Sequence, residues 1–147
     1  MLNLNFQFFR MPSPLWKPAI ELRYEVFVFE QKVPEEMEID AHDDTAHHML
    51  VQDSEQNAIG VMRIVVKGNV GKIGRVAVDR DYRHQGVGTE MMLKALAYCR
   101  SLKLESVALD SQAYVTAFYE RLGFVREGEA FMDAGIPHVR MSLAIGS

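Results

Sequence analysis

The run Val76-Ala77-Val78-Asp79-Arg80-Asp81-Tyr82-Arg83-His84-Gln85-Gly86-Val87-Gly88-Thr89 takes an apolar strand through a glycine-containing loop straight into a helix. Gly86 and Gly88 let the backbone come close to a ligand. The free N–H groups of the first helical turn, helped by the helix dipole, favour a negative group there. The chemistry is anion binding. No Gly-Lys-Ser/Thr follows, as an ATP-binding loop requires, and the three-glycine spacing and preceding parallel strand of a dinucleotide fingerprint are missing. A second group, His42, Asp43, Asp44, His47 and His48, contains metal-ligand residue types, but its spacing matches no closed zinc pattern. It reads as a solvated acidic loop or a cleft wall with no metal, and a metal-dependent hydrolase is the reading it would otherwise support. Cys99, expected on an apolar helix face, is poorly placed as a nucleophile.

Several elements must hold these groups in place. Residues 3–10 alternate Leu4, Phe6 and Phe8 with Asn3, Asn5 and Gln7, the period of a strand with one buried face. Ser13-Pro14 supplies a cap and a first-turn proline ahead of Leu15, Ala19, Leu22, Val26 and Phe29, which predicts a helix over 14–30 disturbed at Pro18. The acidic stretch 35–44 has little periodicity and reads as a loop or a short helix. Runs rich in β-branched residues over 48–52, 58–67 and 71–79, joined by turn-forming stretches, predict an antiparallel meander. From Gly88 the period becomes 3.6, with Met91, Met92, Ala95, Leu96 and Cys99 on one face. A strand over 106–110 then implies a right-handed crossover and parallel pairing. A helix over 115–122 stops at Gly123, and strands over 124–127 and 138–143 close the fold around a loop holding Asp133, Gly135 and Pro137. The fold class is α/β, with a mixed sheet flanked by helices, in one domain over 1–147.

Composition narrows the partners. A chain of 147 residues that is 48% hydrophobic and 24% charged folds as an ordinary domain rather than staying disordered. A net charge of −4 and a pI near 5.7 give no general attraction to a phosphate backbone, so no nucleic-acid partner is expected. No apolar run approaches the ~20 residues of a membrane span, no secretory signal opens the chain, and the single Cys99 forms no internal disulfide. The expected location is cytoplasmic, away from membranes.

Arg83-x-x-Gly86-x-Gly88, directly after Val76-Ala77-Val78 and ahead of an amphipathic helix, resembles the acyl-coenzyme A loop of the GNAT superfamily of N-acetyltransferases. Further on, Phe118-Tyr119-Glu120-Arg121-Leu122-Gly123-Phe124 is similar to that superfamily's Tyr-x-x-x-Gly-Phe signature. The front of the chain, through Arg23-x-x-Val26-Phe27-x-x-Glu30-Gln31-x-Val33-Pro34 and Glu38-Ile39-Asp40, and the late Gly135-Ile136-Pro137-His138 resemble a bacterial branch of uncharacterised GNAT proteins.

The resemblance implies a GNAT fold, with a mostly antiparallel sheet splayed between its fourth and fifth strands, and acetyl-CoA as co-substrate. It implies that the amides of Arg83, His84, Gln85, Gly86, Val87, Gly88 and Thr89 hold the pyrophosphate. The pantetheine would then lie along Val76, Ala77 and Val78, with an N–H at the strand's end polarising the thioester carbonyl. Gln112 stands where the family usually has an Asn touching the pantetheine arm, and Tyr119 where many members protonate the departing thiolate. The implied reaction is acetyl transfer to a primary amine by direct attack. The alternative is an acyl-CoA-binding sensor or interaction module without turnover, in keeping with Gly74 and Arg75 where many members place a Glu. Glu38, Asp40, His47 and His48 are the candidate bases. Arg75 is a candidate for binding a substrate carboxylate or phosphate, and His138 reads as structural. The acceptor is expected to be a small-molecule or peptide amine, cationic if the acidic stretch 35–44 attracts it; homodimerisation is left open.

Overall fold

Over residues 3–146, which the computed structural model describes, the chain forms β1 (Asn5–Phe9), α1 (Trp16–Arg23), α2 (Glu35–Glu38), β2 (His47–Gln52), β3 (Ala58–Lys67), β4 (Val70–Val78), α3 (Val87–Ser101), β5 (Ser106–Gln112), α4 (Thr116–Arg121), β6 (Val125–Asp133) and β7 (Ile136–Ala144). The strands lie in the order β1-β2-β3-β4-β5-β7-β6. Neighbours are antiparallel except β4 and β5, which α3 joins by a crossover. This is the expected α/β class with a mixed, mostly antiparallel sheet.

The apolar residues divide between the two faces of the sheet. On one face Met91, Met92, Ala95, Leu96 and Cys99 of α3 pack on Ile64, Ile73, Val107, Leu109 and Met141. On the other, Ala19 and Leu22 of α1, followed by Val26, cover Phe9, Leu50, Val61 and Ala77. Both layers follow from apolar residues at helical spacing meeting strands that alternate in and out. The α1 layer covers the β1–β4 side only.

Three expectations change in detail. Pro18 is the third residue of α1, where its missing N–H falls among the first-turn amides that have no intrahelical partner, so the helix passes it undisturbed. The disturbance comes instead at Tyr24, where the helix widens into a π-helical segment, Tyr24–Glu30. The loop foreseen between the last two strands shrinks to Ala134 and Gly135, with φ of 51° and 77°, so Pro137 lies within β7. Two consecutive positive φ values make the type I′ turn that suits the twist of a hairpin.

Candidate active site

Parallel pairing of β4 with β5 begins at Val70↔Ser106 and ends at Ile73↔Leu109, although β4 runs on to Val78 and β5 to Gln112. Beyond that point β4 stays with β3, and β5 stays with β7 as far as Gln112↔His138, so the two strands part. Opposite Met62, β4 carries one extra residue: Val61 faces Ala77 while Arg63 faces Gly74, and Arg75, one of the two residues in between, has a φ of 53°. A bulge of this kind bends the strand and increases its twist. A cavity of about 640 Å³ opens there, and its wall includes Val76 of β4, Gln112 of β5, Tyr119 of α4, and His138 and Arg140 of β7.

At the far end of β4 a short 3₁₀ turn, Arg80–Tyr82, leads into the glycine loop. His84 and Gly86 have φ of 63° and 83°, Val87 is buried as an anchor, and His84, Gln85, Gly86 and Thr89 are exposed. No side chain caps α3, and among the described residues the amides of Val87, Gly88 and Thr89 meet no acceptor. They form a concentrated donor patch at the positive end of a 15-residue helix. Arg83, at the start of the loop, is half-buried. Its Nε donates to the carbonyl of Val78 at 2.8 Å, and Nη1 and Nη2 grip Glu30 at 2.6 and 2.9 Å. That bidentate bond holds the Glu30 carboxyl below its usual range. The side chain of Ala77 is buried under α1, while Val76 faces the cavity and Val78 is half-buried.

Tyr119 joins Gln112 and Val76 on the cavity wall and is wedged edge-on between Phe118 and Phe124, at 5.0 and 5.9 Å. Burial pushes its phenol above the usual tyrosine range, so it stays protonated at neutral pH and can donate. Gln112 is oriented by Gln31 at 3.4 Å and by the hydroxyl of Tyr114. Cys99 sits on the opposite face of the sheet, and burial raises its thiol to about 11, which leaves almost no thiolate.

Within the acidic stretch Glu38, Asp40 and Asp43 are matched by arginines, while Glu35 and Asp44 are exposed. Arg23, 2% exposed, donates from Nε to Glu38 at 2.7 Å and from Nη1 to Asp43 at 2.8 Å, and Arg63 reaches Asp40 at 2.7 Å and Asp43 at 3.1 Å. Arg75 reaches the Glu38 carbonyl at 3.1 Å and the Asp40 carboxylate at 3.4 Å. These guanidiniums neutralise the acids that sequence alone left facing a substrate. Burial raises Glu38, and its bonds to Arg23 offset only part of that rise; for Asp43 the bonds from Arg23, the Asp40 amide and Arg63 outweigh burial and hold it at about 2.

The four expected bases fare poorly in this geometry. Glu38 borders the cavity but is bound to Arg23, and Asp40 is bound to Arg63. His47 bonds Tyr98 of α3, on the face away from the cavity, at 2.6 Å. Buried His48 donates from Nε2 to the Asp43 carbonyl at 2.9 Å and stacks on Phe9. Among the described residues no three His, Cys, Asp or Glu side chains converge as metal ligands.

Two features of the cavity escaped the sequence. Lys72 and Arg140 both bind Asp110, at 2.9 and 2.7 Å, which leaves two cations on one carboxylate where the strands begin to part. His138, read from sequence as structural, lines the same cavity. The alternation of His138 and Arg140 with buried Val139 and Met141 carried the signal, but it needed the register with β5 to be read.

The model of the acetyltransferase (GNAT) domain family matches residues 17–145. An uncharacterized N-acetyltransferase of Bacillus subtilis, YjcF, is 36% identical over 126 residues, covering 85% of this chain and 89% of its own. The crystal structure of an acyl-CoA N-acyltransferase from Pseudomonas aeruginosa superposes with a TM-score of 0.87 at 31% identity, covering 95% of this chain and 99% of that one. That of Escherichia coli ElaA superposes with a TM-score of 0.85 at 29% identity, covering 95% and 98%. Family model, related sequence and matching fold extend through nearly the whole length, and the chain belongs to the GNAT acetyltransferase family, as an acyltransferase.

Proposed function

We propose that the protein transfers the acetyl group of acetyl-CoA to a primary amine by direct attack, with no covalent enzyme intermediate. The observation that carries the reading is the parting of β4 and β5 beside Tyr119, in line with an uncapped α3 N-terminus. In this reading the amides of Arg83 to Thr89 take the pyrophosphate, and the backbone of Val76, Ala77 and Val78 pairs with the pantetheine arm. Gln112 touches that arm from β5, and a β4 N–H freed by the parting receives the developing oxyanion, a contact worth roughly 2.7–4 kcal/mol. Tyr119 gives its proton to the leaving sulfur. The acceptor is a small-molecule or peptide amine. Amines carrying a carboxylate belong in any screen, because Lys72 and Arg140 share a single acid. Neither nucleic acid nor membrane enters as a partner: the chain is net acidic, and no helix among the described residues is long and apolar enough to cross a membrane. A screen of amines with acetyl-CoA and free-thiol detection tests the reaction. Coenzyme binding without thiol release for any amine would favour the sensor reading, which Gly74 and Arg75 at the usual glutamate site support.

Acetyl-CoA at a hundred times its Kd is expected to stabilise the fold by about 2.7 kcal/mol, seen as a raised melting temperature; an unmoved melt would refute binding at this loop. Gly86→Val is expected to abolish that shift. It should also lower the stability of the free protein by about 1–2 kcal/mol, because a φ of 83° is strained for any side chain even where space is open. Gly88→Ala separates the two effects: its Cβ would meet only Phe118 at 3.7 Å, so urea denaturation of the free protein should show no loss.

A further inference from the structure

An alkyl ammonium with a pKa of about 10 to 10.5 must lose a proton before it can attack, and Glu38, Asp40, His47 and His48 are held by other groups, while His42 reaches the cavity only from its exposed front wall. We propose that His138 is the general base of the acetyl transfer, taking that proton at Nε2; this rests on the reading under Proposed function.

The tautomer follows from one bond. Nδ1 of His138 lies 2.7 Å from the carbonyl oxygen of Ile136, which can only accept, so Nδ1 carries the hydrogen and the neutral ring presents its lone pair at Nε2. Among the described residues no group bonds Nε2. The ring is half-buried and stacks on Phe131 at 6.0 Å, which fixes its plane. In register, His138 stands directly across from Gln112, and the side chains of such a pair share a face about 4.5–5.5 Å apart at Cβ. Gln112 is the residue placed against the pantetheine arm, and Tyr119 shares the cavity with both. The base and the proton donor therefore approach one space from different elements, β7 and α4. The other charged groups on this side of the cavity are Asp110 with its partners Lys72 and Arg140, and Asp133.

The proton count closes. Nε2 takes one proton from the ammonium, directly or through a water. The freed amine forms the C–N bond to the thioester carbon. As the tetrahedral oxyanion collapses, the C–S bond breaks and the thiolate takes the Tyr119 proton. The second N–H proton of the former amine returns to Tyr119 through solvent, and imidazolium releases its own proton to water. The products are amide, free coenzyme thiol and one proton.

His138→Asn tests the role, because its amide nitrogen can keep the bond to Ile136 while the Nε2 lone pair is lost. Expected are a 10²–10⁴-fold fall in kcat/KM near neutral pH, loss of the acidic limb of the pH–rate profile, partial recovery at high pH where more acceptor is already free amine, and unchanged acetyl-CoA Kd. Activity within threefold of the parent, with the acidic limb intact, would overturn the role while leaving acetyl transfer standing. A parent protein that acetylates no amine would overturn that reading and this role with it. If the variant does not fold, the parent decides: the NMR titration of the His138 ring must coincide with the acidic limb of its rate profile, and a mismatch rejects the proposal.

Discussion

Tyr119→Phe is expected to lower turnover by roughly 10²–10⁴-fold while leaving the melting temperature, the acetyl-CoA Kd and the acceptor KM close to their starting values. The ring keeps its edge contacts with Phe118 and Phe124, and among the described residues the lost hydroxyl holds no other protein group in place. Burial that raises the phenol's pKa keeps the proton available at neutral pH, so the effect concentrates in the step where sulfur leaves. Single-turnover measurement separates that step from product release. Unchanged single-turnover rates would remove Tyr119 from the chemistry, and a parallel loss of coenzyme affinity would make it a binding residue.

Arg23→Met is expected to destabilise the protein by about 3–5 kcal/mol, because the guanidinium is 2% exposed and its removal leaves Glu38 and Asp43 buried without their main partner. A single domain has about 5–15 kcal/mol in all, so the shift in urea midpoint is large. Acid adds a second signature. The folded Asp43 carboxyl titrates at about 2, below its ordinary 3.8, so the folded state binds fewer protons than the unfolded state between those values. That contribution, about 2 kcal/mol, is present above pH 4 and is lost as pH falls towards 2. The variant should lose much of this dependence. A stability loss under about 1 kcal/mol would show that the buried ion pairs do not carry the segment after α1.

The glycine loop, α3 and the meander could be read because their signals are local: a change of period, two glycines, β-branched runs between turns. The pairing of the acidic stretch with arginines was not legible because its partners are distant. Asp43 meets Arg23 and Arg63, each 20 residues away, and no window of sequence shows that a carboxylate will be matched. The widening at Tyr24 leaves no residue signature, since it contains neither Gly nor Pro. The parting of β4 and β5 was available only through the resemblance, since where a parallel ladder ends depends on how each strand pairs with its other neighbour. His138 shows the same limit on a smaller scale: a histidine beside a proline says nothing until its strand is aligned with Gln112.

The bond between Glu30 and Arg83 limits how far this protein can be treated as interchangeable parts. Glu30 ends the segment that follows α1 and flanks the cavity, and Arg83 begins the loop that opens α3, 53 positions later. Grafting the α1 segment from a relative to change acceptor preference would therefore also disturb the glycine loop, unless a carboxylate is kept at position 30. Any lineage that diversified its acceptors through this helix would have had to carry the Glu–Arg pair along as a unit, or replace both residues together.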